Sequence, residues 1–325
     1  MRGWLPEGVR RPLRRAARRA AGPALDAALA RACRGVRRDP RECLVINGEP
    51  RSGTTWLAEA VRSAGCAVAW EPLHPREVPA ARRAGFRFRH LCGEGGPGAP
   101  QRRHVEAALG GRLGSRWLCR LSPASAFAAE PYDRHPYAVK FVRASGMLRW
   151  LSTAVRRPVI HMVRHPLAIA ASQTAEGSWT SGERVGRRWR ERTFSGEPTG
   201  HESYLDSLRT FVERSVAVWC LSNAAVLRDP GGCRLVFYED MLADPGAVLS
   251  GLLPGFGLTP PAGASWRTPS GVVSAASPLE GPESQLGKWR RSLTDEQVRA
   301  GLAVLSHFGV TAYCEELRPR LGGTP

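Results

Sequence analysis

A chain of 325 residues, 42% of them apolar, can bury one large core or two modest ones, and one α/β domain with additions is the simpler expectation. Its formal charge of +18 excludes an acidic, solvating chain, and no window approaches the ~18 consecutive apolar residues of a membrane span. Only two basic residues are lysine, Lys140 and Lys288, and this arginine bias weakens any step from charge to partner.

Residues 1–41 hold twelve arginines against Glu7, Asp26 and Asp39, half of the net charge. Pro6, Pro12 and the Gly22-Pro23 pair interrupt this segment, and Trp4, Leu5 and Leu13 are its only large apolar anchors before residue 20. It reads as a basic arm, either solvated or in peripheral contact with a membrane or anionic polymer. With no apolar signal-peptide core, a cytoplasmic location is expected, membrane-peripheral if the arm makes that contact. The eight cysteines show no CxxC and no zinc-type Cys/His spacing, so buried free thiols are expected and no metal site.

The core begins with a strand over Cys43–Asn47, a turn carrying Gly48, Pro50 and Gly53, and a helix from Thr54 to Ser63. A second apolar run, Cys66–Trp70, ends in Glu71-Pro72-Leu73-His74. That spacing suits a parallel crossover which puts both strand ends at one sheet edge, with Glu71 opening toward the turn. Residues 75–135 show no confident strand and one helix near Arg102–Leu109, which reads either as an insertion that builds a substrate wall or lid or as a poorly ordered loop. Further strands follow at Tyr137–Val142, Pro158–Val163 and Cys233–Tyr238. Helices are expected over Met147–Val155, Leu167–Gln173, Tyr204–Leu227 and Pro245–Leu253. A second insertion spans 174–200, and 254–282 reads as a loop. Thr294 and Gln297 form a capping-box pattern before an amphipathic helix over Asp295–Phe308. The expected architecture is a doubly wound parallel sheet of P-loop type flanked by helices, three layers α/β/α, over 42–315, with 316–325 as a tail.

Gly48 and Gly53 fit the first part of GxxxxGK[ST], but Thr54 stands where that motif places its lysine. Backbone N–H groups at the helix start, with the Ser52, Thr54 and Thr55 hydroxyls, can still converge on one anion. Arg51 supplies a displaced positive charge. Arg51-Ser52-Gly53-Thr54-Thr55-Trp56 resembles the 5′-phosphosulfate loop of sulfotransferases, whose sulfonate donor is 3′-phosphoadenosine 5′-phosphosulfate (PAPS) and whose product is the bisphosphate PAP. The resemblance implies that this loop holds the donor's 5′-phosphosulfate and that Trp56 stacks on its adenine.

Arg164 and Ser172 stand eight residues apart across a strand end and the next helix, a forked donor and a hydroxyl suited to a phosphate dianion. The run RHPLAIAAS is similar to the sulfotransferase 3′-phosphate motif. Lys140 is similar to the family lysine that helps hold the transferring sulfonate, and LVFYEDMLADP, with Tyr238, to the late strand whose tyrosine lies near the nucleotide. Phe141-Val142 follows Lys140 where phenol-type members carry Thr-His, so their base is missing here. Trp70-Glu71-Pro72-Leu73 instead resembles the Phe-Glu-Pro-Leu of several carbohydrate enzymes. On that resemblance Glu71 is the candidate base, with His74 as competitor. Near Leu286-Gly287-Lys288-Trp289-Arg290 only the GxW part of the phenol-type clamp survives, leaving Lys288 and Arg290 open as 3′-phosphate contacts.

The resemblance implies in-line sulfonate transfer from PAPS to an acceptor hydroxyl of a carbohydrate or glycolipid, without a metal. Trp70, Trp179 and Trp189 are available either to stack on sugar rings or to anchor a core. Two other readings stand beside it: a P-loop nucleotide-dependent kinase, and a non-catalytic polyanion-binding protein. No sequence signature of specific nucleic-acid recognition is present.

Overall fold

The structure is a computed structural model that describes residues 22–93, 95–119, 136–177, 186–260 and 282–320. The stretch 1–21, Trp179, 261–281 and 321–325 lie outside the described residues. Five strands form one parallel sheet: β1 (Leu44–Gly48), β2 (Ala67–Trp70), β4 (Tyr137–Lys140), β5 (Val159–Val163) and β7 (Cys233–Phe237), in the order β2-β4-β1-β5-β7. The chain runs outward from β1 to β2, returns to fill the gap with β4, then crosses β1 to build β5 and β7. The direction of winding therefore reverses around β1, where a doubly wound sheet opens a crevice beyond its strand ends. Ile46 lies opposite Lys140 on one side and Ile160 on the other, and Lys140 opposite Trp70. This register places the residues after β1, β2, β4 and β5 along a single edge.

Strands buried on both faces need apolar residues at every position, hence runs such as VIHMV in β5. One face packs Leu44, Ile46, Val68, Ala138 and Met162 against Trp56, Leu57 and Val61 of the helix Thr54–Ser63 and against Leu249 and Leu252 of Pro245–Leu252. The other packs Val45, Ala69 and Val139 against Val105 and Leu109 of Ala99–Leu109 and Leu151 of Leu148–Ala154. Toward β7 that same side is covered by Pro166–Glu176, Phe211–Arg228 and Asp295–His307. The result is three layers. The Thr294–Gln297 capping box is present.

Two expectations are corrected, and for Trp70 and Trp189 one of two open alternatives, the core anchor, is what the structure contains. The helix read over 204–227 is two, Glu202–Ser207 and Phe211–Arg228, because Thr210 caps the second in a reciprocal capping box with Glu213. The 75–135 insertion does contain a strand, β3 (Arg89–Leu91), which pairs in parallel with β6 (Phe194–Gly196) of the second insertion. The two insertions thus close on each other as a small sheet beside the main one. Trp70 and Trp189 are buried at 4% and 1% exposure, so neither ring presents a face to a sugar.

At the N-terminal side the helix Gly22–Arg34 docks through Cys33 into the core, and Asp26 pairs with Arg116. No described helix is long and apolar enough to cross a membrane. All eight cysteines are free thiols, and burial pushes Cys33 and Cys66 up to about 12.

Candidate active site

The turn after β1 is tight enough to specify its residues. A Cβ on Gly48 would lie 2.6 Å from the Met162 carbonyl and 2.7 Å from Ser52 Oγ, so only glycine fits. The Ser52 amide donates to the Glu49 carbonyl at 3.0 Å. Gly53 caps the following helix at φ 99° with no side-chain cap bond, and the first backbone bond of that helix is Leu57 N–H to the Gly53 carbonyl. The Thr54 and Thr55 amides precede that bond and are aimed out of the helix start, where the dipole favours an anion. Ser52 Oγ is buried without a hydrogen-bond partner among the described residues.

Arg51 reaches this turn in an unusual conformation. It and Glu71 are the two non-glycine residues with positive φ among those described, at 76° and 44°. Such conformations cost on the order of 1–3 kcal/mol and cluster at functional sites. Arg51 Nε donates to Ser172 Oγ at 3.0 Å, and its Nη1 lies 3.5 Å from Glu176. Arg164, at the end of β5, donates from Nη1 to the Arg51 carbonyl at 2.9 Å. Its guanidinium sits 4.1 Å from the centroid of the Tyr238 ring, and its own carbonyl accepts from Trp219 Nε1 at 3.0 Å. Tyr238 lies against Gly53 and meets Trp56 edge-on at 6.2 Å. The loop and the second anchor, about a hundred residues apart in the chain, are thereby one cluster. Trp56 is buried in the core below the loop. Lys288 and Arg290 are exposed on the short helix Lys288–Ser292, whose Trp289 stacks on His165 at 4.8 Å beside Arg164.

A second group of charges stands beyond β2 and β4. Glu71 Oε1 accepts from Lys140 Nζ at 2.6 Å and Oε2 from Arg143 Nη1 at 3.0 Å. Lys140 also lies 3.6 Å from the centroid of Trp70, a cation–π contact strengthened by burial. In register with Ile46, its side chain shares the sheet face that carries the helix Thr54–Ser63. Burial alone would raise the Glu71 carboxyl, but the two cations hold it down at about 2. His74 is lowered to about 3 by burial and by Arg143. Its Nδ1 accepts from the Arg76 and Glu77 amides at 3.3 Å, which fixes the proton on Nε2. Trp117, whose Nε1 donates to the Glu71 carbonyl, and Phe88 meet the His74 ring at 5.0 and 6.2 Å.

Arg143 and the Phe88/Trp117 pair were not legible in the sequence. Arg143 follows Lys140 by three residues outside the strand period, and the aromatics come from a segment with no periodicity.

No protein-family model and no curated protein matches the chain. Among solved structures it is similar to the sulfotransferase domain of the Synechococcus PCC 7002 olefin synthase, at 16% identity and a TM-score of 0.42, over 85% of this chain and 97% of that one. It is also similar to mouse sulfotransferase SULT7A1 complexed with PAP, at 16% and 0.42 over 87% of each chain. The sulfotransferase domain from the curacin biosynthetic pathway is similar at 16% and 0.40, over 82% of this chain and 97% of that one.

Proposed function

We propose that the chain transfers a sulfonate group from PAPS to an acceptor hydroxyl. The observation that carries this reading is the single donor cluster formed by Arg51, Arg164 and Ser172 around the phosphate loop, linked by bonds of 2.9 and 3.0 Å. Guanidinium forks, a hydroxyl and helix-start amides are the donor set that a nucleotide with two separate phosphate groups requires. The orphaned Ser52 hydroxyl fits the same group. When bound, PAPS supplies the activated sulfonate and leaves as PAP.

In this reading the loop amides and Arg51 hold the 5′ end, Arg164 and Ser172 the 3′-phosphate, and Tyr238 lies near the base; Trp56, 2% exposed, offers the adenine no face and instead supports the loop from the core. Lys140 stands on the loop's side of the sheet and neutralises charge on the leaving side. Glu71 is the base. Held near 2 it is ionised at all neutral pH but weakly basic; Lys140 turning toward an anion would leave it one cation instead of two and raise its basicity. His74 fits the role less well, since its Nδ1 lone pair is already committed to two backbone amides. General-base assistance of this kind is typically worth about 10²–10⁴-fold.

A carbohydrate or glycolipid acceptor is favoured by the Trp70-Glu71-Pro72-Leu73 resemblance, with half-buried Phe88 and Trp117 replacing Trp70 and Trp189 as the rings near the hydroxyl. A cytoplasmic site of action, with the arginine-rich arm touching a membrane, belongs to the same proposal. A thermal-shift titration with PAP beside Mg-ATP tests it. Stabilisation by PAP that is lost in Arg164→Ala and Thr54→Ala supports the donor site; a response to Mg-ATP alone would return the loop to kinase chemistry. Salt-sensitive binding to anionic polymers with silence toward both nucleotides would leave a non-catalytic polyanion binder.

A further inference from the structure

An anion-binding loop is a poor place for a carboxylate, yet Glu49 lies inside this one, between Gly48 and Gly53. Its side chain is 2% exposed and both oxygens are taken by Arg89: Nε donates to Oε1 at 3.2 Å and Nη2 to Oε2 at 2.5 Å. Arg89 is equally buried. It comes from β3, forty residues along the chain, and is fixed there on several sides. Its Nη1 donates to the Phe88 carbonyl at 2.6 Å. Its strand pairs with β6, where Arg89 faces Phe194. Gly196 holds that pairing at φ 90°, in a position where a Cβ would collide with the Leu91 carbonyl.

The pair does two things a buried ion pair elsewhere would not. It cancels a negative charge carried by a residue of the loop itself, and it ties the loop to the only sheet among the described residues that joins the two insertions. Phe88, next to Arg89, faces His74 on the Glu71 side. One short strand therefore touches both the donor and the acceptor sides. Replacing both charged partners by neutral groups of similar shape is often tolerated, whereas removing one leaves an uncompensated buried charge.

We infer that Arg89 is a positioning residue of the phosphate loop: it neutralises Glu49 so that the loop can accept a dianion, and its effect on phosphate binding is exerted through Glu49. This rests on the donor-site reading above. At an effective dielectric of about 20, two unit charges separated by anything from about 8 to about 12 Å interact strongly enough to change binding by about 10- to 30-fold, the range expected for a carboxylate left uncompensated in the loop.

The test is a cycle of Arg89→Met, Glu49→Gln and the double variant, each measured by calorimetry with PAP and by thermal melting without ligand. Arg89→Met should bind PAP at least tenfold more weakly than wild type. The double variant should return to within about threefold of wild type, whatever its melting temperature, because a purely structural role would move stability and affinity together. Arg89→Lys, which keeps the charge but not the fork, should lose only a few-fold. Should Arg89→Met fail to fold, Glu49→Gln and the double variant decide: both are expected to bind at least about as tightly as wild type, and a tenfold loss in either overturns the inference. Unchanged affinity in a folded Arg89→Met overturns it equally. Wild-type silence toward PAP is a different outcome; it removes the donor site and this inference with it.

Discussion

Arg164 donates from Nη1 to the carbonyl of Arg51 at 2.9 Å. A residue at the end of one strand thereby fixes the backbone of the loop that follows its neighbour in the sheet, β1. Arg164→Ala should remove both a phosphate ligand and the tether of the loop, and PAP affinity should fall by at least tenfold. Arg164→Lys retains the charge without the planar fork and should recover only part of it. Calorimetric titration of the three proteins decides; equal affinity for wild type and Arg164→Ala would place the 3′-phosphate elsewhere.

Arg51 holds φ 76°, a conformation that glycine adopts without strain and alanine does not. Arg51→Gly and Arg51→Ala lose the same bonds to Ser172 and Glu176, so their difference isolates the backbone. Arg51→Gly should be the more stable by about 1 kcal/mol in denaturant unfolding, while both lose PAP binding. Equal stability would mean that the loop relaxes when the side chain is removed.

Glu71 sits between Lys140 and Arg143 with its carboxyl held at about 2 against an ordinary 4.5. A carboxyl lowered on folding stabilises the folded chain fully above its unfolded value, and that contribution disappears as pH falls toward the folded value. Glu71→Gln should therefore melt well below wild type at neutral pH, since it takes the carboxylate from between two buried cations, a loss of about 3–5 kcal/mol. The gap should narrow as pH drops from about 4.5 toward 2. Melting curves at a series of pH values check this; a gap that stays constant through that window would show that Glu71 is not ionised in the resting site.

What the sequence shows of this site follows the range over which its residues act. The strand–turn–helix unit of Gly48, Gly53, Thr54 and Thr55 is legible because such a turn is a local device, closed within a few residues. Arg164 and Ser172 are legible for the same reason, eight residues apart across one strand-to-helix junction. Thr294 and Gln297 announce a capping box within four residues, and the structure contains it. Thr210 and Glu213 announce another, which apolar periodicity on both sides conceals, so the break at 208–210 is missed although its chemistry is in the sequence. Glu49, Arg89 and Arg143 differ in kind. Their partners are 40 and 72 residues away: Arg89 reaches Glu49 from an insertion whose three-residue strand carries no period, and Arg143 meets Glu71 only because β4 pairs with β2 in the sheet. Among 45 arginines, nothing local marks Arg89 and Arg143, which are buried against carboxylates.

Glu176 is the last residue of the helix that carries Ser172, and its carboxylate lies 3.5 Å from Arg51 with 45% of its side chain exposed. The pair orders Arg51 in the resting site but opposes an incoming phosphate twice, by occupying the guanidinium and by repelling the anion. An exposed pair of this kind is worth only about 0.2–1 kcal/mol, so Glu176→Gln should bind PAP about two- to fivefold more tightly at low ionic strength. Screening shortens the reach of such charges from about 10 Å at 0.1 M salt to about 3 Å at 1 M, and the advantage should fade over that range. Titrations of both proteins at the two salt concentrations check the direction. Weaker binding by Glu176→Gln would mean that Glu176 instead presents Arg51 to the phosphate, and that the ion pair persists in the complex.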